Sequence, residues 1–70
     1  MRVQASKLLK SARSLRSMNL DEASILSGYS VSSIERWEKG ILEPKFSAVM
    51  DLLQDVYKLP YQEAIEYCTR

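Results

Sequence analysis

The stretch Gly28-Tyr29-Ser30-Val31-Ser32-Ser33-Ile34-Glu35-Arg36-Trp37-Glu38-Lys39-Gly40 decides how this chain folds. Ser30 is a residue type that caps a new helix by accepting a hydrogen bond from its first turn. Ile34 and Trp37, with Val31 beside them, then supply an apolar face at helical spacing. Gly40 fits the left-handed exit at which a short helix stops. The pattern predicts a helix over about Val31 to Lys39.

Upstream, Asn19 followed three residues later by Glu22 has capping-box chemistry, so a helix is predicted to start at Leu20. Gly28 closes it, and only Gly28, Tyr29 and Ser30 separate it from the next one. So tight a turn holds two short helices at a large angle and lets the second project from the body. Further out, Ala5, Leu8, Leu9, Ala12 and Leu15 mark a first helix over about Val3 to Ser17. Beyond the loop that contains Pro44, Phe46, Val49, Met50, Leu53, Val56 and Tyr57 repeat at helical spacing, and Leu52 widens the stripe. Pro60 is expected in the first turn of a fifth helix, with Tyr61, Ala64, Ile65 and Cys68 as its apolar face. Nothing reads as a strand or a repeat.

Seventy residues make one domain, residues 1–70, close to the lower size limit for a core that folds by packing alone. The expected fold is all-α, a compact bundle of five short helices. With one cysteine and no histidine, an internal disulfide is excluded and neither a structural metal site nor a cofactor is expected. The ten serines have no histidine to act as their base, so an enzyme is not expected. No apolar run is long enough to span a bilayer, and the first ten residues do not form a signal-peptide core; the expected setting is the cytoplasm. The net charge is only +1, but residues 1–45 hold eight basic and five acidic side chains, net +3, and residues 46–70 two and four, net −2. That asymmetry permits a DNA-facing front and an acidic back.

The segment from Gly28 to Gly40, followed by Pro44, resembles the signature of the lambda-repressor-like, or Cro/C1-type, helix-turn-helix family. The likeness extends from about Leu9 to Ile65, with the helix-turn-helix itself over about residues 19–40. What the resemblance implies is a DNA-binding regulator, of the compact repressor kind that phages and mobile elements encode. It implies that Asn19 caps its helix and touches a phosphate, and that Val31, Ser32, Ser33 and Arg36 face the major groove. It implies further that Lys39 and Lys45 meet phosphates or the minor groove, and that Arg13 and Glu38 form a structural ion pair. On chemistry alone, Arg36 offers a bidentate fork to guanine and Val31 an apolar contact to a thymine methyl. Leu20 departs from the family's usual glutamine, and Ala23 from its usual leucine; Tyr29 and Trp37 are expected to make up the lost volume.

A single module covers only about 600–1,000 Å² of DNA. A homodimer on paired half-sites is therefore expected, with the face made by Tyr61, Ala64, Ile65 and Cys68 as its contact. The competing expectation keeps the fold but makes it a protein-interaction module, such as an antirepressor that binds a partner regulator. Weak net charge, Glu35, and Leu20 and Val31 on the binding edge favour it. The same segment also resembles the recognition segment of MerR or excisionase winged-helix domains, but a full helix before Asn19 and the lack of a wing hairpin count against that.

Overall fold

Short-range capping chemistry sets the boundaries of the two central helices. The structure is a computed structural model that describes residues 4–68. It contains α1 (Ala5–Leu15), α2 (Leu20–Ser27), α3 (Val31–Lys39), α4 (Phe46–Asp51), continued by a π-helical turn (Leu52–Val56), and α5 (Tyr61–Cys68). There is no strand among the described residues.

The first helix is shorter than its apolar spacing suggests. Val3 lies outside the described residues, and at the other end Ser17 turns left-handed at φ 54°. The Ser17 and Met18 amides close that end on the carbonyls of Ser14 and Arg13, at 3.0 and 3.2 Å. The start of α2 carries the full capping box. The Glu22 amide donates to Asn19 Oδ1 at 2.8 Å, and the Asn19 amide donates to Glu22 Oε1 at 3.2 Å. Gly28, at φ 83°, ends α2. Ser30 Oγ accepts from the Ser33 amide at 3.1 Å to open α3. Gly40, at φ 76°, closes α3 with the paired bonds of a Schellman motif, Gly40 to Trp37 at 3.2 Å and Ile41 to Arg36 at 3.0 Å.

The core is one cluster. Leu8, Leu9 and Ala12 of α1 meet Ala23 of α2, Ile34 and Trp37 of α3, Ala48 and Val49 of α4, and Ala64 of α5. The π-helical turn contributes Leu52, Leu53 and Val56, followed by Tyr57 and Leu59. α1 is the hub, packing against α3, α5 and the π turn, while α2 packs against α3 and the π turn. The Cα radius of gyration is 10.7 Å, close to the roughly 11 Å expected of a compact chain this long.

Four further expectations change here. The fourth helix is not uniformly α: Tyr57 donates to Leu52, five residues back, at 2.8 Å. Leu52, Leu53, Val56 and Tyr57 of this turn and its end are all buried. The helix then ends at Lys58 in a left-handed conformation, φ 52°, and Arg16, just past α1, donates to the carbonyls of Tyr57 and Lys58 at 2.6 and 2.9 Å. Second, Phe46, expected on the apolar stripe, is exposed. Third, the α5 face expected to meet a second copy is turned inward. Ala64 is buried and Ile65 and Cys68 pack against the chain's own core, so that of the four only Tyr61 stays exposed. Pro60 stands just before α5 instead of in its first turn, its carbonyl accepting from Ala64 at 2.9 Å.

Candidate nucleic-acid interface

α2, its three-residue turn and α3 form a unit braced from three sides. Within the turn, Ser24 Oγ donates to the Tyr29 carbonyl at 2.6 Å and Ser27 Oγ accepts from the Tyr29 amide at 3.1 Å. The Tyr29 ring sits edge-on to Trp37, with centroids 5.1 Å apart, and packs against the core cluster that includes Ala23. Its hydroxyl donates to Asp51 Oδ2 at 3.0 Å. That bond holds the phenol above its ordinary pKa, because the carboxylate favours the protonated form.

The far end of α3 is tied to α1. Arg13 donates through Nε and Nη2 to the two carboxylate oxygens of Glu38, both at 2.8 Å, and through Nη1 to the Met18 carbonyl at 2.9 Å. The fork geometry satisfies both oxygens at once, and the Glu38 hydrogen bond raises the Arg13 pKa further. This pair is structural, and it fixes the direction in which α3 points. Trp37, buried against the same cluster, is a core residue and not a stacking platform.

The outer side of α3 carries the remaining residues. Ser32 and Arg36 are exposed, while Val31 and Ser33 are half-buried. Arg36 has no hydrogen bond or ion pair to the described residues, so its guanidinium is free to meet a ligand. Ser33 is less free, since its Oγ accepts from Ser30 Oγ at 2.9 Å. Lys39 Nζ donates to Glu35 Oε1 at 2.9 Å, one turn apart on the same helix. That contact lowers the Glu35 pKa and keeps it ionised. Lys39 keeps two further N–H donors, and the exposed pair with Glu35 is a weak competitor for a phosphate. Lys45 is exposed at the start of α4, and Asn19 is exposed at the start of α2 with its side-chain oxygen already in the cap. The expected site residues therefore fall in three places: the outer side of α3, the mouth of α2 and the loop after α3.

Leu20 is not on an open edge, because it packs against the core. The most exposed apolar residues lie elsewhere: Ile25 and Leu26 on α2, and Ile41, Leu42 and Phe46 at and beyond the end of α3. Sequence reading missed Ile25 and Leu26 because apolar residues on a short helix cannot be assigned a face until the packing partners are known, and Ile41 and Leu42 lie in a loop, where no periodicity applies. Charge around the unit is also less favourable than for the whole N-terminal part. Residues 19–45 hold three basic and five acidic side chains. The basic residues in and just after α1 that would improve the balance are partly committed, Arg13 to Glu38 and Arg16 to the end of the fourth helix.

No family model, curated protein or solved structure matches the chain. Among the described residues no helix is long and apolar enough to cross a membrane.

Proposed function

We propose that this chain belongs to the lambda-repressor-like helix-turn-helix family. We further propose that it is a sequence-specific double-stranded DNA-binding regulator, a small cytoplasmic repressor of phage or mobile-element type and not an enzyme. The observation that carries this reading is the contrast between the two sides of α3. Its inner side and C-terminal end are fixed by Trp37, Ile34 and the Glu38 pair, while Arg36 on the outer side is unpaired among the described residues. A rigid helix with a free fork on its exposed side suits the major groove, which is about 12 Å wide. In this reading Arg36 pairs bidentately with a guanine, a contact worth about 1–3 kcal/mol of discrimination. Val31 and Ser32 read neighbouring positions, and Asn19, Lys39, Lys45 and the less accessible Ser33 hold the backbone.

A protein-interaction module on the same fold is the second reading. It is favoured by the acidic excess of residues 19–45 and by exposed Ile25 and Leu26 on α2. Selection of bound molecules from a random-sequence duplex pool separates the two. The DNA reading expects one enriched motif containing guanine at a fixed position, with that preference relaxed in Arg36→Ala. Absence of any enriched motif at low salt would favour the protein partner.

A further inference from the structure

We propose that the cleft between α1 and α5, lined by Lys7, Lys10, Ser11, Ser14, Tyr67 and Cys68, binds a nucleoside monophosphate, with its phosphate on the two lysines and its base on the Tyr67 ring. The four α1 residues follow one another at three, one and three positions, which sets them along one side of the helix. From Lys7 to Ser14 is two turns, about 10 Å, and the open cleft holds about 330 Å³. That volume lies at the lower end of the roughly 300–1,000 Å³ of small-molecule sites, and it is more than a bare phosphate fills.

Two features select the ligand. The first is charge. Lys7 and Lys10 are exposed and, like Ser11 and Ser14, make no side-chain hydrogen bond or ion pair to the described residues. Glu63 and Glu66 of α5 are exposed but stand outside the lining, so no carboxylate borders the cleft among the described residues. Two ammonium groups one turn apart repel each other. A dianion between them gains from both, and the serine hydroxyls offer further donors to its oxygens. The second feature is the ring. Tyr67 is 39% exposed and pairs with no other aromatic ring among the described residues, which leaves it open to stack with a base. Arg13, which ties α1 to α3, does not line the cleft. A ligand there leaves the outer side of α3 open, so the site requires neither DNA nor a second copy of the chain.

Titration of the ¹⁵N-labelled full chain with adenosine 5′-monophosphate tests this. Saturable amide shifts are expected at residues 7–14 and 67–68, with a Kd below about 1 mM. Lys7→Gln with Lys10→Gln, both at exposed positions, weakens binding by about tenfold or more. Tyr67→Ala weakens it by about fivefold or more, and Tyr67→Phe, which keeps the ring, retains it; thermal melts confirm that the variants stay folded. Adenosine without phosphate and inorganic phosphate without a base each bind at least about tenfold more weakly than the nucleotide. Duplex DNA leaves residues 7–14 unmoved. No saturable shift by about 10 mM nucleotide, or shifts centred on residues 30–39, overturns the proposal. Inorganic phosphate binding as tightly as the nucleotide overturns it too, as do duplex-induced shifts at residues 7–14, which would assign the cleft to a nucleic-acid backbone.

Discussion

Replacing Glu38 by glutamine removes one charge and almost no volume, and its cost follows from the surroundings of Arg13. The Arg13 side chain is 19% exposed and that of Glu38 7%, so the guanidinium is largely withdrawn from water and its counter-ion more so. Breaking a fully buried pair costs about 3–5 kcal/mol, because the remaining charge is left uncompensated. Arg13 keeps its bond to the Met18 carbonyl and some access to solvent, so Glu38→Gln is expected to cost about 2–3 kcal/mol. For a domain of this size that is a fall in Tm of roughly 10–20 °C. Replacing both partners by apolar residues, Arg13→Met with Glu38→Leu, removes the desolvated charges together and is expected to recover most of the loss. Urea unfolding of the wild type, Glu38→Gln, Arg13→Met, Glu38→Leu and the Arg13→Met/Glu38→Leu double variant gives the single-variant cost and, from the last three with the wild type, the coupling energy. A single-variant cost under about 0.5 kcal/mol, typical of an exposed pair, would refute the claim that this pair anchors α3.

Tyr57 supplies a pH dependence. Burial pushes its hydroxyl up to about 12 from 10.0, so the fold favours the neutral phenol. That contribution is complete below pH 10 and is lost as pH rises from 10 through about 12. Because Tyr57 Oη is buried with no hydrogen-bond partner among the described residues, Tyr57→Phe is expected to leave stability at pH 7 unchanged or raise it by about 1 kcal/mol and to lessen the alkaline loss; unfolding curves at pH 7 and above pH 10 check this. Gly28 sits at φ 83°, and a methyl group added to its Cα meets no other atom within 4 Å. Gly28→Ala is therefore expected to cost about 1–2 kcal/mol from backbone conformation alone, read as a lower Tm. Lys58 occupies the left-handed region at φ 52°, and Lys58→Gly is expected to stabilise by roughly 0.5–1 kcal/mol in the same assay.

The parts of this fold legible in the sequence are those set by neighbours in the chain. Asn19 with Glu22, Gly28, Ser30 and Gly40 bound α2 and α3 because each cap joins atoms no more than a few residues apart. What stayed hidden depends on contacts across the chain. Arg16 reaches the end of the fourth helix 41 residues away, and nothing near Leu52 announces a π turn. Tyr61, Ala64, Ile65 and Cys68 carry a genuine apolar face, but periodicity reports that a face is apolar and not what covers it. The same limit made Phe46 look like core. At the candidate site, the position of Arg36 was legible from the spacing of Ile34 and Trp37, whereas the Lys39–Glu35 contact and the half-buried state of Ser33 required the side chains in place.

Contact between the outer side of α3 and DNA is tested most directly by an amide-resolved NMR titration of the ¹⁵N-labelled chain with the selected duplex. At about 50 mM salt, where counter-ion release favours binding, shifts are expected to concentrate at Asn19 and across residues 30–39 and to weaken in Arg36→Ala. No shift at saturating duplex, or shifts confined to Ile25 and Leu26, would contradict the proposed DNA-binding role.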